Sequence, residues 1–415
     1  MVRRVFVVLA AVVAVLVGGF GPAYAGVSQG GLVSEHPVRF TPNVLDGSVA
    51  AMAVVGDVVV VGGEFSSVAD TGGTRYARRN LMAYRLSTGQ VLPFAAQLDG
   101  PVAALAAGPG GTVYAGGSFS RVDGAAHVGL VQLDVSTGRP VAGFTTSAST
   151  ADVRALAAHG PWLYVGGAFD GIGGRRRTAL ARLATQSGAV DPGFDLRLAG
   201  ARTGPVKVVA LAITNDGSRV AVAGSFTTAG GTSRPQLLLV DGASGRLSSW
   251  FTDAYAPPCT ADYGSYLRAV DFSPSGAYLA VVTSGHLSGP VRMCDTAARL
   301  DATGAGTHPP VWVNHTGGNT LLSVAVTDGA VYIGGHQQWV DNPYGQKTAG
   351  PGAIARPGIA ALDPATGHAL TWNPTHSRGN GIEALVTCPA GLLVGSDTDE
   401  LGHAYHGRIG MLPTR

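Results

Sequence analysis

The sequence predicts an all-β fold built from seven repeats. Three observations carry this: short β-branched strands punctuated by glycine, a fixed spacing between them, and no 3.6-residue apolar period lasting ten residues. The order is legible in one unit, where Val102-Ala-Ala-Leu105 leads to Val113-Tyr-Ala-Gly-Gly117-Ser-Phe119, then Leu130-Val-Gln-Leu133-Asp134, then Thr137-Gly138 and Phe144. It recurs from Val153 through Gly166-Gly167, Leu180, Gly188 and Phe194, and again from Leu211 through Gly224, Leu237, Gly245 and Phe251. The step from the second glycine to the next strand is 13 residues at Gly117 to Leu130, Gly167 to Leu180 and Gly224 to Leu237. Ser284 to Ala297 and Ser396 to Ile409 keep the same step in degenerate units. Counting by Met52, Leu105, Leu156, Leu211, Val270, Val324 and Leu385 gives seven units. Each has three clear strands and a weaker fourth, which is the blade of a β-propeller.

Taken in chain order, the first element is a leader. Arg3 and Arg4 precede an apolar run from Val5 to Gly19, then Gly21-Pro22 and Ala23-Tyr24-Ala25, so residues 1–25 read as a secretory signal peptide with an A-x-A cleavage site. Its removal takes two arginines and no acid, leaving 26 bases and 26 acids. A charged fraction of 13% with 46% hydrophobic residues excludes disorder, and the charge balance excludes a polybasic nucleic-acid surface. The apolar stretch from Val49 to Val61, broken by Gly56-Asp57, is too short to span a bilayer. The expectation is a secreted chain without a membrane span, a single monomeric domain over residues 26–415.

Within each unit the paired glycines, such as Gly62-Gly63 and Gly116-Gly117, read as close backbone approach or positive φ at a strand end. Asp134-x-x-Thr-Gly138 and Asp363-x-x-Thr-Gly367 read as hairpin turns, the Asp capping backbone amides. Phe40, Phe94, Phe144, Phe194, Phe251, Trp312 and Trp372 are expected to pack between neighbouring blades. The last unit stops at Arg415 before its aromatic, and Phe40-Thr41-Pro42 matches Trp372-Asn373-Pro374. Residues 38–42 are therefore expected to complete the last blade and close the ring, which removes exposed strand edges.

Candidate ligand-binding residues come from one repeated position and from the departures. Three residues before the L-x-x-L strand stand Arg78, His127, Arg177, Arg234, Cys294, Arg356 and His406. Arg78, Arg177, Arg234 and Arg356 either reach a carbonyl or carboxylate of the next blade or form a cationic ring for an anionic ligand. In the sixth unit the step from Gly335 to Ile359 is 24 residues, 11 more than the standard 13, and the lengthened segment reads His336-Gln-Gln-Trp339-Val-Asp-Asn342-Pro-Tyr344-Gly-Gln-Lys347. Its His336, Trp339, Asn342 and Tyr344 resemble a sugar-stacking or protein-binding patch, or else a loop covering the blade edge. Cys259 and Cys294 read as a disulfide in a secreted protein, and Cys388 as a buried thiol. Asp397 and Asp399, near His403 and His406, are the candidate Ca2+ ligands, but the EF-hand pattern is not met and zinc-helix spacing is absent, so no cofactor is expected.

The chain resembles the secreted β-propeller proteins of actinobacteria with GGxF repeats, related to the delta-60 repeat class and more distantly to the fungal cortical polarity marker. The segments that carry the resemblance are Arg268-Ala-Val-Asp-Phe-Ser-Pro-Ser-Gly276, Cys294-Asp-Thr-Ala-Ala-Arg299, Gly334-Gly-His-Gln-Gln-Trp339, Asn342-Pro-Tyr344-Gly, Arg356-Pro-Gly-Ile-Ala-Ala-Leu-Asp363 and Val394-Gly-Ser-Asp-Thr-Asp399. The resemblance implies the fold and a secreted location, and no established activity. The functional expectation is a non-catalytic extracellular binding module for glycan or protein. The alternative is a propeller-scaffold hydrolase, lyase or oxidase acting on carbohydrate; no closely spaced carboxylate pair or copper-ligand set stands out for it.

Overall fold

The computed structural model describes residues 27–260, 263–287, 289–377 and 379–415. The expected signal peptide, residues 1–25, lies outside the described residues. Among the described residues there is no helix, and the strands group into a succession of antiparallel meanders. The strand that opens each meander is Ser48–Val55, Val102–Gly108, Val153–His159, Val208–Ile213, Leu267–Phe272, Leu321–Val326 or Ile382–Cys388. Each pairs with the strand that follows it, and that one with a third, as in Val102–Gly108, Thr112–Gly117 and Leu130–Asp134.

These strands read as continuous apolar runs because both faces of each sheet are covered. In Val58–Glu64 the side chain of Val60 packs with Phe94, Val102 and Val113 of the following sheet. Val59 and Val61, on the opposite face, pack with Ala384, Leu393 and Met411 near the C-terminus. Cys388 is buried in that same cluster and is not disulfide-bonded. Each opening strand lies against the next one along the chain, and Ile382–Cys388 lies against Ser48–Val55.

Close approach, and not positive φ, explains the paired glycines. A Cβ on Gly62 would collide with Val102 of the next sheet, and one on Gly63 with the backbone carbonyl of Ser48. The expected turn chemistry is present: Asp134 Oδ1 accepts from Ser136 N at 3.0 Å and Thr137 N at 2.9 Å, and Gly138 has φ +74°.

The aromatic series needs two corrections. Phe94, Phe144, Phe194, Trp312 and Trp372 are buried between sheets, but Phe40 is only half-buried against its cluster, and in the fourth unit Trp250 takes the buried place while Phe251 is half-buried. Trp250 wins because its indole N–H can reach a carbonyl, Asp301 O at 2.9 Å, as Trp312 reaches Pro364 O at 3.0 Å.

A short hairpin leaves the end of the second strand in six of the meanders, such as Ser67–Ala69 with Arg75–Ala77 and Trp339–Val340 with Ile354–Ala355. In the fifth meander the Cys259–Cys294 disulfide occupies that region, with Cα atoms 5.8 Å apart.

Candidate functional site

One cavity of about 250 Å3 is lined by a residue from every opening strand: Met52, Leu105, Leu156, Leu211, Val270, Val324 and Leu385. Its wall is apolar except for the half-buried Asp271, the sole ionisable residue lining it, and Thr387. The Asp271 carboxylate accepts from Phe272 N at 2.9 Å and Val326 N at 2.8 Å, and burial outweighs these bonds, pushing its carboxyl up to about 7.

Toward the N-terminal ends of the same strands lies a wider, polar cavity of about 520 Å3, lined by Ala50, Arg268, His286, Thr320, Leu322, His336, Asn380 and Glu383. A backbone irregularity builds this mouth. Every opening strand slips register near its start, between Val49 and Ala51, Val102 and Ala104, Val153 and Ala155, Val208 and Ala210, Leu267 and Ala269, Leu321 and Ser323, and Ile382 and Ala384. The bulged residues are Ala50, Ala103, Arg154, Val209, Arg268, Leu322 and Glu383. A bulge leaves its residue outside the ladder and re-aims its side chain.

The charges at the mouth are placed by further contacts. Arg154 makes a bidentate pair with Asp152, at 2.6 and 2.9 Å. Arg268 donates from Nε to Ser284 Oγ at 2.8 Å. Burial, then the like charges of Arg154 and Arg268, hold the Lys207 ammonium below its ordinary range. Glu383 has neither a hydrogen-bond nor an ion-pair partner among the described residues; burial and then the nearby Asp397 push it up to about 7.

His286 is held by the disulfide region. The preceding Gly285 has no room for a Cβ beside Cys259 and Cys294, Leu287 N donates to Asp295 Oδ2 at 2.9 Å, and Tyr263 packs edge-on to the imidazole at 5.3 Å. Asn380 is held by Asp397, which accepts from Asn380 N at 2.7 Å and Gly381 N at 3.0 Å.

The structure separates the residues singled out in the sixth insertion. His336 lines the mouth, with Nδ1 2.5 Å from Gly379 O. Trp339 is half-buried in its hairpin, away from the cavity lining, and Tyr344 is 66% exposed. Asn342 is buried, and its side chain ties the loop together: Nδ2 donates to Thr348 O at 3.0 Å and Oδ1 accepts from Gly350 N at 2.9 Å. It lines neither of the two cavities.

The four arginines share one geometry. Arg78, Arg177, Arg234 and Arg356 each donate to the preceding residue's carbonyl and to one 14 residues on, Leu92, Asp191, Ser248 and Leu370. None lines either cavity. Asp397 is engaged with backbone amides, as above, and Asp399 is exposed. Among the described residues no group of three or more His, Cys, Asp and Glu side chains is placed to hold a metal.

Sequence reading missed Arg154, Lys207, Arg268, His286, Asn380 and Glu383. The signal was present for three of them: the second position of the V-x-A-L strand is Ala, Val or Leu in four units and Arg or Glu in the others.

Residues 162–194 match a family described as a β-propeller domain of unknown function (DUF5122). No curated protein matches the chain. Among solved structures, the crystal structure of the computationally designed Ika8 protein is similar over 95% of this chain and 100% of that one, with 15% sequence identity and a TM-score of 0.50. That likeness speaks to the fold alone. With the all-β architecture, the family match indicates a β-propeller domain.

Proposed function

We propose that the chain is a secreted, non-catalytic binding module, a seven-bladed β-propeller that meets a glycan or protein ligand at the mouth of its central cavity. One observation carries this reading. The bulge position, released from strand pairing, holds Arg268 and Glu383 where most units hold small or apolar residues, and both line the mouth with His336 from the sixth insertion.

Seven blades are supported by the seven opening strands around one cavity. Closure by the N-terminal segment is supported by Ser34 N donating to Pro413 O at 2.7 Å and Val38 N to Met411 O at 2.9 Å. Phe40 also stands to Gly89 as Phe144 stands to Gly188 and Trp312 to Gly367, each beside the space a Cβ would fill. In this reading the closing segment begins at Val33, upstream of the expected 38–42, and residues 26–415 act as one monomeric domain. Secretion rests on the leader and on the resemblance to secreted actinobacterial proteins. The Cys259–Cys294 disulfide is compatible with it, and no helix among the described residues is long and apolar enough to cross a membrane.

A second reading, a carbohydrate-acting enzyme, is favoured by the Glu383 carboxyl, without a partner among the described residues and pushed up to about 7, in the range useful for proton transfer at neutral pH. Glycan and peptide arrays probed with wild type, Arg268→Gln and Trp339→Ala test both. Signal lost with Arg268→Gln supports the mouth, signal lost only with Trp339→Ala moves the contact to the sixth insertion, and turnover of a bound saccharide replaces the binding reading with the enzymatic one.

A further inference from the structure

We propose that the mouth binds a zwitterion, a free α-amino acid or short peptide with both termini unblocked, its carboxylate on the Arg268 side and its ammonium on the Glu383 side. This rests on the mouth being the ligand site.

The charges around the mouth are segregated. Arg154, Lys207 and Arg268 come from three consecutive meanders, the third to the fifth, and act on one another electrostatically. The two acids that act on this arc have partners of their own: Asp152 pairs with Arg154, and Asp295, which also acts on Arg268, accepts from Leu287 N at 2.9 Å and Thr320 Oγ1 at 3.3 Å. The seventh meander brings Glu383, with Asp397 close enough to raise it further. Arg268 and Glu383 line one cavity, yet they form no ion pair with each other: Arg268 spends its Nε on Ser284, and neither its Nη groups nor the Glu383 carboxyl has a protein partner among the described residues.

Charge complementarity then selects the ligand. A simple anion on Arg268 would sit in the field of Glu383 and Asp397, and a simple cation on Glu383 in that of the arginines. A neutral saccharide can hydrogen-bond both groups through its hydroxyls but neutralises neither charge, so each is desolvated without a counter-charge. A zwitterion pairs both at once through charge-assisted hydrogen bonds. A cavity of about 520 Å3 is within the range for a small ligand. The rest of its lining suits a peptide: Asn380 and Thr320 supply donors and acceptors for an amide, and Ala50 and Leu322 an apolar surface for a side chain.

The test is isothermal titration of wild type with the dipeptide Ala-Ala in free, N-acetylated and C-amidated forms. The free form is expected to bind, and each blocked form to bind about ten-fold more weakly or worse, the loss of one charged hydrogen-bonded contact. Glu383→Gln should abolish discrimination against the N-acetylated form, and Arg268→Gln discrimination against the amide. Equal binding of free and blocked forms, or no binding of the free form at millimolar concentration, overturns the proposal. A saccharide whose binding is lost in Arg268→Gln would overturn the zwitterion while keeping the mouth as the site. The wild-type comparison stands even if a variant fails to fold.

Discussion

The indole N–H of Trp372 donates to the carbonyl of Val33, 2.9 Å away and 339 residues earlier in the chain. The N–H of Val33 in turn donates to the Tyr332 hydroxyl at 3.0 Å, and the Tyr332 and Trp372 rings meet edge-on at 5.2 Å. Both backbone groups of Val33 are thus satisfied by the sixth unit. Trp372→Phe keeps most of the ring burial and strands the Val33 carbonyl, with an expected loss of about 1–2 kcal/mol in urea unfolding.

Removing the whole segment tests the closure. A chain beginning at Asn43 loses the Ser34 and Val38 bonds to Pro413 and Met411 and exposes the edge of Ile409–Pro413. It is expected to aggregate or unfold over a broad transition in calorimetry. An unchanged melting curve would refute closure by this segment.

The Cys259–Cys294 bridge closes a span of 35 residues, for which the unfolded-chain argument gives about 4 kcal/mol. The Cys259→Ala/Cys294→Ala variant should show this loss, and because Gly285 packs on the bridge, backbone amides near His286 should exchange faster. Cys388, buried and unbridged, should resist a thiol reagent in the folded protein and react on unfolding.

Asn342→Ala removes the bonds that fold the sixth insertion onto itself, at an expected cost of about 2 kcal/mol, and limited proteolysis should then cut within residues 343–349. Tyr344→Ala, at an exposed position, should leave stability within about 0.5 kcal/mol of wild type.

Burial gives opposing pH dependences. For Asp271, raised from 3.8 to about 7, the folded state keeps a proton that the unfolded chain releases, so its contribution is present below pH 3.8 and lost as pH rises to about 7. His376, lowered by burial from 6.5 to about 4, contributes above pH 6.5 and loses that contribution as pH falls to about 4. Asp271→Asn removes the first trend and retains the second. Its stability relative to wild type should therefore rise between pH 4 and pH 7 in denaturant titrations, and a difference constant with pH would refute the assignment.

The repeat was legible because its determinants are local in sequence: β-branched strands, paired glycines that admit Val102 and its counterparts, and Asp-Thr-Gly turns all recur at fixed steps. Trp250 against Phe251 was misread because the choice rests on the Asp301 carbonyl, 51 residues away. The mouth was mostly illegible for the same reason. Arg268, Leu322 and Glu383 are neighbours only through the packing of successive sheets, and His286 is placed by a disulfide and an aspartate on other segments. The sixth insertion drew attention by its length, yet Asn342 turned out to serve the loop itself.

The register slip repeated in every opening strand also bears on how such a protein diversifies. A residue within a paired ladder is answerable to partners on both sides, and its replacement perturbs them. The bulged residue stands outside the ladder, and at Ala50, Arg268, Leu322 and Glu383 it lines the mouth. These four positions form an alphabet that can be respelled one letter at a time, so relatives with the same scaffold can acquire different ligands while the frame around them stays as it is.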